Sequence, residues 1–260
     1  MPENTFGRKS GGAGNVLIRP LVRQRAKLDM FFMKQFRANS LSTWFLRAMH
    51  QQHRQRGGPE GNYYEFGVGK GHTMGRFLRA LRVFCDADNL DLYAYSMFLF
   101  DSFEGMPPKA SARDDHPGFH EGMIRFSLEE TKARIAKQLD LSRGKVRFVK
   151  GFFENSLTAE LAGELAAHPP SIVTVDVDYY SSTRSVLEWL LPFAPTGCLF
   201  YFDDIWLFHG HPEMGQIAAI NEVNRGDLGH LIPYPAFGTT VGGRSFVFAR
   251  KEVELQKARW

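Results

Sequence analysis

The sequence is short of several things, and each shortage removes a class of protein. Of its 260 residues only two are cysteine, Cys85 and Cys198, each alone in an apolar segment. A disulfide framework is not expected, and a reducing, cytoplasmic setting is. No apolar run approaches the roughly twenty residues that span a bilayer. The start, Met1-Pro2-Glu3-Asn4, lacks the basic-then-apolar pattern of a secretory leader. There is no internal repeat, and no biased segment beyond the glycine-rich first fourteen residues. Charge of one sign barely predominates: 32 Lys and Arg against 28 Asp and Glu leave +4, with a pI near 9.1. Part of that excess lies in the first sixty residues (Arg19, Arg23, Arg25 and Lys27 among them), which read as a solvated helical arm rather than a nucleic-acid surface. What is present is ordinary for a globular protein, with 43% apolar residues in a length that suits one domain plus an extension.

Residues 17–55 carry apolar residues at helical spacing: Leu28, Phe31, Phe32 and Phe36, then Leu41, Trp44, Phe45, Ala48 and Met49. Two helices are expected, split near Asn39-Ser40, and either packed on the main domain or offering a surface for a homo-oligomer. The turn-rich Arg56-Gly57-Gly58-Pro59-Glu60-Gly61-Asn62 separates this extension, residues 1–60, from a catalytic domain over 61–260. From there strands and helices alternate. Strands are expected at 62–64, 92–100, 145–149, 171–177 and 198–202, and helices at 73–83, 127–139, 158–167, 181–191 and 212–224. Ser127 with Glu130 forms a capping box, and Ser181 or Ser182 is the expected cap of the helix after Tyr180. Residues 231–234 and 244–249, with Gly242-Gly243 between them, read as a closing antiparallel pair. The outline is α/β, a mostly parallel sheet with helices on both faces.

The chemistry gathers where strands end. The stretch Ser171-Ile172-Val173-Thr174-Val175 is a strand buried on both faces that stops at Asp176 and Asp178, and Leu199-Phe200-Tyr201-Phe202 stops the same way at Asp203-Asp204. Active sites of open α/β sheets lie just beyond such ends. Four carboxylates on neighbouring strand ends repel unless a proton or a cation sits among them. Between the first strand and its helix runs Glu65-Phe66-Gly67-Val68-Gly69-Lys70-Gly71, whose glycines allow a tight turn and close approach of a ligand to backbone N–H groups. The dinucleotide fingerprint needs a third glycine at position 72, where this chain has His72. Asp101, with Ser102 beside it, ends the second strand and can accept hydrogen bonds from both ribose hydroxyls of a nucleoside. Gly151 and Phe152 end the third, where an adenine can approach the backbone and pack on an aromatic face; a core role for Phe152 or Phe153 fits the sequence equally well. Residues 109–122 form a long charged loop of the kind that serves as a lid; its His116 and His120 are candidate metal or substrate contacts.

Five of these pieces, in order, resemble the macrocin O-methyltransferase (TylF-type) family: Glu65-x-Gly67 with Gly71, Asp101-x-Phe103-Glu104-Gly105-Met106-Pro107, Gly151-x-Phe153, Asp176-x-Asp178-x-Tyr180 and Asp203-Asp204. The resemblance implies a class I, Rossmann-like sheet of seven strands. It implies S-adenosylmethionine as cofactor, bound by Glu65, Gly67, Gly69, Gly71, Asp101, Ser102, Gly151 and Phe152, with Glu65 toward its cationic end. It also implies Mg²⁺ or another divalent cation held by Asp176, Asp203 and Asp204, and Asp178 as general base in methylation of a small-molecule hydroxyl. No nucleic-acid or membrane partner is implied. The chain departs from the family pattern at Ser181 and over Ile205-Trp206-Leu207-Phe208-His209-Gly210-His211, a region that helps build the acceptor pocket. The competing readings are a nicotinamide-dependent oxidoreductase, opposed by His72 and the clustered carboxylates, a methyltransferase acting on RNA, which lacks an Asn-Pro-Pro-Tyr-type motif, and a non-catalytic binding protein on the same fold.

Overall fold

In a computed structural model of the chain, the described residues are 41–57, 61–234 and 242–251. The chain divides into two compact units, Met1–Ala38 and Asn39–Trp260, and all described residues belong to the second. The first helix expected in the N-terminal extension, and residues 235–241 between the two expected closing strands, lie outside the described residues.

Helix α1 (Leu41–Arg56) is followed by β1 (Gly61–Phe66), α2 (His72–Asp88), β2 (Tyr95–Asp101), α3 (Leu128–Ala136), β3 (Val146–Lys150), the short α4 (Phe153–Ser156), α5 (Ala159–Leu165), β4 (Ile172–Val175), α6 (Tyr180–Leu190), β5 (Leu199–Phe202), α7 (Gly215–Arg225), β6 (Gly229–Pro233) and β7 (Arg244–Arg250). Among the described residues the strands form one seven-stranded sheet in the order β3-β2-β1-β4-β5-β7-β6. β1 through β5 pair in parallel, while β7 runs antiparallel to both β5 and β6. The expected outline, parallel strands closed by an antiparallel hairpin, is what forms. Pro233 falls on β6, the edge strand, where its missing N–H costs no ladder bond to a further strand.

Alternation along β1 sorts the core into two layers. Tyr63 points to one face, where it stacks on Phe77 of α2 at 3.9 Å between centroids and meets Phe45 of α1 edge-on at 5.6 Å. Trp44 of α1 packs on Tyr201 of β5 at 5.2 Å, and Gln52 donates from Nε2 to Gly197 O (2.8 Å). Helix α1 is therefore part of the cover of this face of the sheet. Tyr64 and Phe66 point the other way, against Phe98, Phe100 and Trp189 of α6. Such aromatic pairs add roughly 0.5–1.5 kcal/mol each beyond area burial, and they make both faces of the central strands solid.

Element boundaries shift where local hydrogen bonds outcompete pattern. The second strand begins at Tyr95 rather than residue 92, because the Asp91 carboxylate accepts Tyr93 N–H (3.0 Å) and winds residues 92–94 into a 3-10 turn. The last helix starts at Gly215 rather than 212, since His211 Nδ1 accepts Glu213 N–H (3.2 Å) and keeps that stretch a turn. The Ser127–Glu130 capping box forms as expected. Neither Ser181 nor Ser182 caps α6: its N-cap position is Tyr179, with no side-chain cap from that residue. The strand order itself makes the site. β1, β2 and β3 are laid outward in one direction, then the chain returns to add β4 and β5 on the other side, so the crevice opens between the ends of β1 and β4.

Candidate functional site

At that crevice Gly67, just after β1, meets Asp176, just after β4. The Gly67 backbone is left-handed (φ +81), and a Cβ there would lie 1.8 Å from Asp176 O. A cleft with about 1040 Å³ of empty space, including its open mouth, runs from here. It is lined by Gly67, Gly69, Asp101, Ser102, Gly151 and Phe152 and also by Asp176 and Asp178. Its lining also includes Met106, Pro107, Ile124 and Phe126, from the two stems of the long loop after β2.

The glycine loop is held open by side chains from elsewhere in the chain. Asp101 accepts Gly69 N–H at Oδ2 (2.8 Å) and Phe103 N–H at Oδ1 (2.7 Å), so each oxygen keeps lone-pair capacity toward the cleft. Thr131, buried on α3, donates its hydroxyl to Gly69 O (2.8 Å). Ser102 is committed locally, donating to Gly105 O (2.8 Å) and accepting Glu104 N–H (3.1 Å). Gly151 donates to Asp101 O (3.0 Å), which keeps the β2 and β3 tips in step. Phe152 lines the cleft from the N-cap position of α4, without a side-chain cap, while Phe153 both borders the cleft and packs on Phe66 at 6.0 Å. Gly71 and Glu65 stand apart from this lining. Gly71 is the left-handed N-cap of α2, packed against Ile135 and Thr131.

Glu65 is wholly buried; Oε2 accepts from Tyr63 OH (2.6 Å), whose oxygen also contacts Thr174 Oγ1 (2.8 Å), and Oε1 has no hydrogen-bond partner. Burial pushes this carboxyl up to about 8, partly offset by the hydrogen bonds from Tyr63 and from the Met74 backbone. An orphaned acceptor buried beside a glycine loop fits a cationic group of a bound ligand. It also has a stability consequence. A carboxyl raised on folding binds a proton that the unfolded chain has released, so its stabilisation is complete below about 4.5 and is lost as pH rises through about 8. Denaturant titrations of the ligand-free protein at pH 5 and pH 8 are expected to show a larger loss in wild type than in Glu65→Gln. The difference should be roughly 2–4 kcal/mol, from about 1.4 kcal/mol per pH unit of separation, discounted for relaxation. Parallel losses in the two proteins would refute the account.

The carboxylates meet where β4 and β5 end, and Asp176 and Asp178 also line the cleft. One oxygen each from Asp176, Asp203 and Asp204 lie within 4.8 Å of one another. This is the group of metal-capable side chains found among the described residues; His116 instead packs on Phe119 and Phe208, and His120 Nδ1 contacts Glu121 O. Burial and then the charges of Asp204, Asp203 and Asp178 hold Asp176 well above the usual carboxylate range, and burial with the Asp178 charge does the same to Asp204. Asp178 is raised to about 6 by burial and the Asp203 charge. Three carboxylate oxygens this close together fit a hard divalent cation, which takes carboxylate ligands and relieves their repulsion.

Three supports of this cluster escape sequence reasoning. Gln216, buried on α7, donates from Nε2 to Val175 O and accepts Asp204 N–H at Oε1 (both 3.0 Å), tying the β4 end to the β5 end. Tyr201 OH donates to Asp203 Oδ1 (3.0 Å). Asp204 Oδ2 accepts Asp178 N–H (3.0 Å), and Asp178 itself is left-handed, φ +58. A glutamine directly before the apolar run Ile217-Ala218-Ala219-Ile220 was the available signal for the first; the others show only once the strands are aligned.

Comparison with known proteins bears on this geometry. The profile of the macrocin-O-methyltransferase (TylF) family matches residues 38–217. A relative from Streptomyces olivaceus, 8-demethyl-8-(2,3-dimethoxy-alpha-L-rhamnosyl)-tetracenomycin-C 4'-O-methyltransferase, is 32% identical over 153 residues, 56% of this chain. The match spans about half, 54%, of that relative's length. Two solved structures share the fold: the calicheamicin methyltransferase CalS11 (TM-score 0.58, 20% identity, 78% of this chain and 77% of that one) and the O-methyltransferase NovP (TM-score 0.56, 22% identity, 79% of each).

Proposed function

The chain belongs to the macrocin-O-methyltransferase (TylF) family, and from that premise we propose that it is an S-adenosylmethionine-dependent O-methyltransferase acting on a small-molecule hydroxyl, a sugar hydroxyl of a natural product above all. The observation that carries the reading is that one cleft is lined both by the glycine loop with Asp101 and by Asp176 and Asp178. The sugar acceptor rests on the relative whose name specifies a rhamnosyl 4'-hydroxyl. When bound, the cofactor supplies an electrophilic methyl group, and a divalent cation supplies positive charge that favours an ionised hydroxyl. The chain's own residues do the rest. Asp101 accepts from ribose hydroxyls, Gly151 and Phe152 take the adenine, and Glu65, buried outside the cleft lining, keeps its spare oxygen as the acceptor for the cationic end. Asp176, Asp203 and Asp204 hold the cation, an assignment supported by their all-oxygen, mutually repelling arrangement. Asp178 takes the hydroxyl proton on its carboxylate. We place the enzyme in the cytoplasm, a setting compatible with two buried cysteines far apart in sequence. We also expect it to act without nucleic acid or membrane and to associate with its own copies through its N-terminal helices.

A calorimetric titration of S-adenosylhomocysteine, with and without Mg²⁺, tests this directly. The nucleoside is expected to bind wild type, and Mg²⁺ to bind the complex. In Asp176→Asn the nucleoside should still bind, and Mg²⁺ affinity should fall at least about tenfold, as loss of a ligand exceeds the roughly 10–100-fold typical of outer-shell changes. Failure of wild type to bind the nucleoside would sink the methyltransferase reading. Unchanged Mg²⁺ affinity in the variant would sink only the ligand assignment.

A further inference from the structure

Between β2 and α3 the chain leaves the cleft lining, crosses toward α6 and returns. The two stems are joined where they leave: Met106 N–H donates to Met123 O (2.8 Å) and Gly122 N–H to Met106 O (3.0 Å). The far part of the loop is held by one buried acid. Asp114 is 0% exposed, and its Oδ2 accepts the N–H groups of Ala110 (3.1 Å) and Ser111 (2.9 Å). Its Oδ1 reaches across 67 positions of sequence to accept Ser181 N–H (2.9 Å). Ser181 is the second residue of α6, a helix whose own N-cap residue supplies no acceptor. The first donors of a helix need partners, and here the partner comes from the loop whose stems line the cleft.

A second tie lies beside the first. Arg113 pairs with Glu222 of α7, and its guanidinium carbon stands 4.8 Å from the centre of the Tyr180 ring. Tyr180 OH in turn donates to Glu222 Oε2 (2.8 Å). The residue two positions before Tyr180 is Asp178, held left-handed by the bond from its N–H to Asp204. A non-glycine residue keeps that backbone only where its surroundings over-determine it. The turn 178–181 is thus clamped on one side by Asp204 and on the other by Asp114.

We propose that the loop of residues 107–124 is a latch: by capping α6, Asp114 fixes the Asp178 turn against the Asp203–Asp204 strand end, so seating the loop and setting Asp178 are one event. A ligand that displaces the loop on entry releases the cap, and closure restores it. Asp114 is a positioning residue, since its contacts are to backbone N–H groups of the loop and of α6 and not to the cleft. That the latch serves a base rests on the function proposed above; the mechanical linkage does not.

Hydrogen exchange by mass spectrometry on the full chain, in wild type, Asp114→Ala and Arg113→Ala, tests the linkage. In Asp114→Ala, peptides covering 107–124 and 178–183 are expected to exchange together, at least about tenfold faster than in wild type, with β1 and β4 unchanged. Arg113→Ala leaves the cap in place and should raise both segments by a smaller factor, about threefold. Faster exchange confined to 107–124, with 178–183 as in wild type, overturns the latch. If Asp114→Ala does not fold, the same comparison in Arg113→Ala decides between these outcomes. Binding of S-adenosylhomocysteine, measured on the same samples, bears on the proposed function alone, so the two ideas can fail separately.

Discussion

Replacing Gly67 with alanine is expected to destabilise the protein by roughly 3–5 kcal/mol and to remove nucleoside binding, whereas Gly122→Ala is expected to cost only about 1 kcal/mol. The two glycines have nearly the same backbone, φ +81 and φ +78. An alanine forced into that conformation pays the same penalty, about 1 kcal/mol, at both. They differ in what a Cβ meets. At Gly122 nothing lies within 4 Å, while at Gly67 the Asp176 carbonyl oxygen lies at 1.8 Å with its carbon at 2.7 Å. Both are backbone atoms, and Asp176 N–H is bonded to Phe66 O (2.9 Å), so relief requires prying β4 from β1 at the crevice. Overpacking of that kind adds typically 1–3 kcal/mol and more where backbone must move. Chemical denaturation of the two variants checks the contrast. Equal losses would mean that backbone conformation, and not the close meeting of the two strand ends, is what reserves position 67 for glycine.

Much of this was legible because it is local. The capping box Ser127–Glu130 spans three residues, and the buried strands announce themselves as apolar β-branched or aromatic runs ending in acids. Once β1 through β5 are placed in parallel, the pairing of Asp176 with Asp203-Asp204 follows, since Val175 and Phe202 are register partners. The left-handed conformations around the glycine loop were equally foreseeable from composition.

What was not legible depends on distant partners. Nothing near Asp114 in sequence reveals that it caps a helix 67 positions away, and a charged loop reads as solvated until its acid is seen to be buried. Ser181 and Ser182 were reasonable caps by residue type; the cap from Asp114 left them no such job. Gln216 and Thr131 look like ordinary helix residues, yet each hydrogen-bonds backbone groups on a strand end or loop beside the cleft. Asp178 is the sharpest case. Its neighbourhood implied a strand-end carboxylate, but not a left-handed residue whose own N–H is bound by a second member of the cluster.

That backbone decides how the role of Asp178 should be tested. Asp178→Asn is expected to lower the turnover of methyl transfer by about 10²–10⁴-fold, the usual range for loss of general-base help. Binding of S-adenosylhomocysteine and of Mg²⁺ should stay within about twofold. Asparagine is among the few side chains that tolerate the left-handed region, and the bond to Asp204 uses the backbone N–H, which the substitution leaves intact. Alanine would add strain at φ +58 and confuse a lost base with a loosened turn. The pH dependence gives a second readout. Burial and the Asp203 charge set this carboxyl at about 6, so the wild-type rate should climb with pH as the group ionises and level off above that value. A bound cation would move the climb to lower pH without changing its sign. The variant should lack this limb altogether, its residual rate being flat over the same range. With formation of S-adenosylhomocysteine as the signal, a variant within about fivefold of wild type that keeps the limb would place the base elsewhere. The three-carboxylate cluster would then stand without Asp178 as its partner in the chemistry.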